Sequence, residues 1–84
     1  MSSLMIRYKA SVKKDLKKLD PPDRIKVLDI IEDTLGRDPM AGKPLKGELH
    51  GCRRLAKGKI SVVYTLDEEG VLILRVSFRR DVYR

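Results

Sequence analysis

Apolar and polar positions alternate most regularly between residues 51 and 84, and the rest of the chain is organised around that stretch. Ile60, Val62, Tyr64 and Leu66 alternate with Ser61, Val63 and Thr65. Leu72, Leu74, Val76 and Phe78 alternate with Ile73, Arg75, Ser77 and Arg79. A period of two sends successive side chains to opposite faces of a strand. Lys57-Gly58 and Asp67-Glu68-Glu69-Gly70 are turn signals, because glycine reaches the positive φ that hairpins need. Three strands in an antiparallel meander are predicted. On the first, Leu49, Arg53 and Leu55 fall on the covered side, and His50, Cys52, Arg54 and Ala56 on the open side.

The period changes upstream. Residues 4–8 alternate briefly and predict a short strand. In residues 10–19, Val12, Leu16 and Leu19 recur at helical spacing, with Lys13, Lys14, Lys17 and Lys18 on the opposite side. Asp20-Pro21-Pro22-Asp23 breaks that helix and starts another. Asp20 suits the N-cap, Pro21 the first helical position, and Asp23 the positive end of the helix dipole. The second helix is expected to run to about Leu35, burying Val27, Leu28, Ile31 and Leu35, with Gly36 as its C-cap. Residues 37–47 then form a connecting loop with Pro39, Gly42, Pro44 and Gly47, carrying Lys43 and Lys46 towards the open face. The expectation is an α+β fold: an N-terminal strand, a helical hairpin, then the meander, with both helices packed on one face of the sheet.

Composition narrows the function classes. Eighty-four residues make one domain with one core, spanning residues 1–84. The chain is 42% hydrophobic and 37% charged, too apolar for disorder. No apolar run approaches the roughly 20 residues of a membrane span, and the N-terminus lacks the apolar core of a signal peptide. One cysteine, Cys52, forms no internal disulfide and no zinc cluster, so it reads as a small packing residue and the cytoplasm as the expected compartment. The net charge of +7 and a pI near 9.8 favour a polyanionic partner.

That charge matters most on the open face, which collects Arg54, Arg75 and Arg79 beside Ser61, Thr65 and Ser77 without a carboxylate. Cations without counter-ions are tolerable where they are solvated or where an anion joins them. Phosphate contacts follow from the bidentate donors of guanidinium. His50 has a pKa range suited to proton transfer, although a lone histidine is more often structural. The lysines of the first helix read as a solvated face. Ser61 has no Asp or His partner in sequence, which argues against a hydrolase triad.

The ordered set Lys43-Pro44-Leu45-Lys46-Gly47-Glu48-Leu49, Gly51, Arg54-Leu55, Gly58, Val62-Val63-Tyr64 and Arg79-Arg80-Asp81-Val82-Tyr83 resembles the RelE/ParE superfamily of toxin–antitoxin toxins, and more the RelE branch. The resemblance covers nearly the whole chain. It implies a cytoplasmic toxin held by a tightly bound antitoxin, expected to be acidic and partly disordered when free. It also implies cleavage of messenger RNA in the ribosomal A site without a cofactor or metal, by attack of the ribose 2′-hydroxyl on the adjacent phosphate. Carried over, Arg54, Arg79 and Tyr83 are the catalytic positions. Lys43, Lys46, Arg75, Arg80 and His50 are the expected RNA contacts, to message and ribosomal RNA. The chain departs from the family pattern at Cys52, Ala56 and Ser61, where basic residues are frequent. Two alternatives therefore stay open: non-enzymatic inhibition of DNA gyrase, as in ParE relatives, and a weakened relative that binds only antitoxin or RNA.

Overall fold

The computed structural model describes residues 5–79. Leu4 of the expected first strand, and Arg80 and Tyr83 of the expected site, lie outside them. The chain forms strand β1 (Met5–Tyr8), helices α1 (Ala10–Lys17) and α2 (Pro21–Ile30), a π-helical turn (Ile31–Leu35), strand β2 (Lys43–Pro44), a 3-10 turn (Gly47–Leu49), and strands β3 (Cys52–Lys57), β4 (Ile60–Asp67) and β5 (Gly70–Phe78). The five strands make one sheet in the order β1-β5-β4-β3-β2, with β1 parallel to β5 and every other pair antiparallel. The helical hairpin and the meander are as the periodicity predicts. The partner of β1 and the two-residue strand inside the expected loop 37–47 are additions.

One core sits between the helices and the sheet. Val12 and Leu16 of α1, Val27 of α2, and Ile31 and Leu35 of the π-helical turn close over Ile60, Val62, Tyr64, Val71, Ile73 and Val76. Burying a side chain of this size contributes about 1.5–3 kcal/mol. The π-helical turn has a packing reason. Val27, Ile31 and Leu35 are spaced by four, and an α-helix of 3.6 residues per turn drifts off such a spacing. A wider turn keeps Ile31 and Leu35 under Val27, and all three are fully buried. Gly36 is therefore not a left-handed cap: its φ is −67° and the helix continues through it.

Arg24 seals the hairpin. Its guanidinium donates to the carbonyls of Leu16 (3.0 Å) and Leu19 (3.0 Å) where α1 ends, adding to the Leu19 N–H that the Leu16 carbonyl also accepts. At the far edge β1 lies so close to β5 that a Cβ on Gly70 would stand 2.5 Å from the Met5 carbonyl oxygen. Gly70 also has φ +129°, so this crossing requires glycine.

The last strand departs from simple alternation. Tyr64 pairs with Ile73 and Val63 with Arg75, so Leu74 is an extra residue, a β-bulge. Before the bulge Val71 and Ile73 face the core; after it Val76 does. The expected covered positions Leu72 and Leu74 are only half-buried, and Ile73, expected on the open face, is fully buried. Arg75 and Ser77 keep their expected exposure. The bulge lets one strand cover the helices with Ile73 and still turn Arg75 outward two positions later. Leu49 also departs: it lies in the 3-10 turn before β3 and is 45% exposed.

Candidate nucleic-acid interface

The open face of the sheet is built by register. Lys43 of β2 stands opposite Arg54 of β3, Arg54 opposite Val63 of β4, and Val63 opposite Arg75 of β5. Directly opposed residues in antiparallel strands share a face. The row therefore reads Lys43, Arg54, Val63, Arg75, with small Val63 as the floor between two arginines. Strands lie about 4.8 Å apart, so the Arg54 and Arg75 backbones are roughly 10 Å apart, within reach of one phosphate for two long side chains. In the next row Ala56, Ser61 and Ser77 line up.

Two shallow hollows share Arg54, Ser61 and Ser77 and together form a trough. One, of about 280 Å³, runs under Leu45 and Leu49 to Arg75. The other, of about 290 Å³, runs past Ala56 and Lys59 to Arg79. Arg54 sits at the junction. Its Nε donates to Ser61 Oγ at 3.0 Å, which aims the guanidinium along the trough. Arg79, just past β5, is held by its backbone N–H to the Lys59 carbonyl at 2.9 Å. None of the described residues lining the trough is acidic.

The expected residues divide accordingly. Arg54, Arg75 and Arg79 come together, and Lys43 stands at the trough's edge beside Arg54. Lys46 is exposed at the start of the 3-10 turn. His50 lines a separate hollow with Met40, Cys52, Arg53 and Leu66. Cys52 is half-buried there, in keeping with a packing role. Ser61, one of the positions where the resemblance leads one to expect a basic residue, instead accepts the Arg54 Nε–H.

Three residues of this region were not singled out from sequence as site residues: Gly42, Arg53 and Tyr64. Tyr64 is fully buried on the covered face, yet its hydroxyl donates to the Pro39 carbonyl (2.7 Å) and accepts from the Gly42 N–H (2.9 Å). Arg53 donates from Nε to the Gly42 carbonyl (2.9 Å) and from Nη2 to the Met40 carbonyl (3.2 Å). An arginine on a covered strand face was the legible signal, since buried cations need partners.

A contrasting charge cluster lies at the β1 end. Arg7 Nη2 is 2.6 Å from each carboxylate oxygen of Asp67, and Nη1 is 3.1 Å from Glu69. The Arg7 hydrogen bond, with the Glu69 backbone N–H, holds the Asp67 carboxyl below its usual range. Tyr8, next along β1, is half-buried; burial and the charge of Glu32 push its hydroxyl up to about 12.

The chain is similar to known proteins over nearly its full length. The model of the ParE toxin of type II toxin–antitoxin systems matches residues 6–83. Toxin RelG of Mycobacterium tuberculosis is 37% identical over 82 residues, covering 94% of this chain and 94% of that protein. The toxin–antitoxin complex RelBE2 of Mycobacterium tuberculosis contains a chain that superposes with a TM-score of 0.85 at 32% identity, covering 93% of this chain and all of that one. The archaeal RelE–RelB complex of Pyrococcus horikoshii matches with a TM-score of 0.69 at 20% identity, over 93% of this chain and 97% of that one, which speaks for the fold alone.

Proposed function

The chain belongs to the ParE toxin family of type II toxin–antitoxin systems, within the RelE/ParE superfamily, and from that premise we propose that it is an endoribonuclease that cuts messenger RNA in the ribosomal A site. The observation that carries this reading is the trough: Arg54, aimed by Ser61, stands between Arg75 and Arg79, with no acidic residue among the described residues that line it. Such a face attracts a phosphodiester and suits a phosphorane, where negative charge grows during the reaction.

In the proposed reaction the ribose 2′-hydroxyl attacks the adjacent phosphorus and gives up its proton. The bond from phosphorus to the 5′-oxygen breaks, and that oxygen takes up a proton. The products are a 2′,3′-cyclic phosphate and a free 5′-hydroxyl. Arg54 and Arg79 grip the non-bridging oxygens with charge-assisted hydrogen bonds, and Arg75 and Lys43 hold the neighbouring backbone. Guanidinium charge serves here without a metal. Tyr83, outside the described residues, is the proposed stacking platform and proton-transfer partner, and Arg80, also outside them, is a proposed RNA contact. Lys46 and His50 contact RNA beyond the trough. We assign the cytoplasm as the compartment. The partner that silences the toxin is an antitoxin, a reading supported by the toxin–antitoxin complex RelBE2 of a relative; we expect it to be acidic and partly disordered when free.

The match to the ParE toxin model, together with Cys52, Ala56 and Ser61 at frequent basic positions, favours a second reading: inhibition of DNA gyrase without catalysis. Primer-extension mapping of cellular messages after induced expression separates the two. Discrete cuts inside translated frames are expected. Intact messages with gyrase-linked DNA breaks would establish the second reading instead.

A further inference from the structure

We propose that Tyr64 and Arg53 are positioning residues for the RNA trough, acting from the covered side of the sheet to fix Lys43 beside Arg54 on the open side. This rests on the RNA reading of the trough.

Four backbone groups of residues 39–42 are gripped by these two side chains: the Pro39, Met40 and Gly42 carbonyls and the Gly42 N–H. Lys43 is the next residue, and β2 holds to β3 over only two positions, Lys43 with Arg54 and Pro44 with Arg53. A two-residue strand has little pairing of its own, so its register depends on what fastens its ends. Downstream the fastening is the Leu45 N–H to the Cys52 carbonyl at 2.9 Å. Upstream it is Tyr64 and Arg53.

The clamp is specific in geometry. A Cβ on Gly42 would lie 2.7 Å from the Tyr64 ring and hydroxyl and 2.9 Å from the Arg54 carbonyl oxygen, so the Gly42 backbone is pressed between the Tyr64 side chain and the β3 backbone. Tyr64 itself pairs with Arg53 across the β3–β4 ladder. Both therefore project to the covered side of adjacent strands, under the edge where the segment passes. Their neighbours in sequence, Val63 and Arg54, project to the open side as floor and centre of the trough. The alternation of the strands thus couples a buried clamp to an exposed anion site: the clamp sets where Lys43 stands relative to Arg54.

The test is a cycle of variants read by two independent measurements. Tyr64→Phe keeps the buried ring and removes both hydroxyl hydrogen bonds. Binding of a short single-stranded RNA is followed by fluorescence anisotropy in wild type, Lys43→Ala, Tyr64→Phe and the double variant. We expect Lys43→Ala to weaken binding several-fold in the wild-type background and hardly at all with Tyr64→Phe, because an unfastened Lys43 no longer contributes. The cross-strand contact between Lys43 and Arg54, read by NMR on the same proteins, should be lost in Tyr64→Phe while the rest of the sheet persists. Equal losses for Lys43→Ala in both backgrounds, or a retained Lys43–Arg54 contact in Tyr64→Phe, overturn the proposal. If Tyr64→Phe does not fold, Arg53→Gln replaces it with the same expectations and the same overturning results. Should wild type bind no RNA while the contact is lost in Tyr64→Phe, the RNA reading fails and the clamp stands as the device that places Lys43.

Discussion

Two sets of arginines divide this small protein. At the β1 end, Arg7 is clasped by Asp67 and approached by Glu69, and its charge is answered within the fold. Across the open face, Arg54 has a serine hydroxyl as its side-chain partner, and Arg75 and Arg79 line the same trough with no acidic neighbour among the described lining residues. The first arrangement ties a parallel edge strand to the β4–β5 turn. The second leaves a field for an anion from outside. The same residue type thus serves architecture where carboxylates are supplied and, on the proposed function, recognition where none stands among the described lining residues.

The largest effect expected from that contrast is in catalysis. Arg54→Ala and Arg79→Ala should each lower RNA cleavage about a hundredfold, roughly 3 kcal/mol of lost transition-state stabilisation, with circular dichroism unchanged. Arg7→Ala should leave cleavage near wild type; an equal loss there would erase the distinction. Ser61→Ala tests how much the aim of Arg54 matters. Losing one hydrogen bond of about 1 kcal/mol should cost about fivefold in rate without unfolding. Salt titration sharpens the comparison further: Arg75→Gln should flatten the dependence of single-stranded RNA affinity on salt by about 0.7 in the log–log slope, and Arg7→Gln should leave that slope unchanged.

The smallest effects are those of pH on stability. Asp67 titrates below its usual range in the folded state, so its contribution is present above the ordinary carboxylate pKa and is lost as pH falls through the depressed one. Asp67→Asn should remove that part of the acid limb in thermal melts at graded pH. Tyr8 works in the opposite window. Its folded pKa of about 12 exceeds the unfolded value of 10, so its contribution is complete below pH 10 and fades as pH rises towards 12. Tyr8→Phe should flatten the alkaline limb, and an unchanged limb would assign that loss to other groups.

Much of this molecule was determined by sequence alone. Helical spacing of Val12, Leu16, Val27, Ile31 and Leu35, and strand alternation from Ile60 to Tyr64, follow from local geometry, because each periodicity has one way to present an apolar face. The outward positions of Arg54, Arg75 and Ser77 come from the same rule. Tertiary structure decided the remainder. The bulge at Leu74 shifts the phase of β5, since Ile73 gains more from the core than unbroken pairing would give it, and alternation read along one strand cannot show where its partner slips. The π-helical turn absorbs Gly36 into the helix because three core positions spaced by four outweigh glycine's tendency to cap. Arg53, Gly42 and Tyr64 meet across 22 residues of sequence, between Gly42 and Tyr64, through backbone carbonyls and an N–H that every sequence carries and none advertises. Hydrogen bonds to the main chain leave little trace in residue identity, and that is why the clamp became visible only once the strands were side by side.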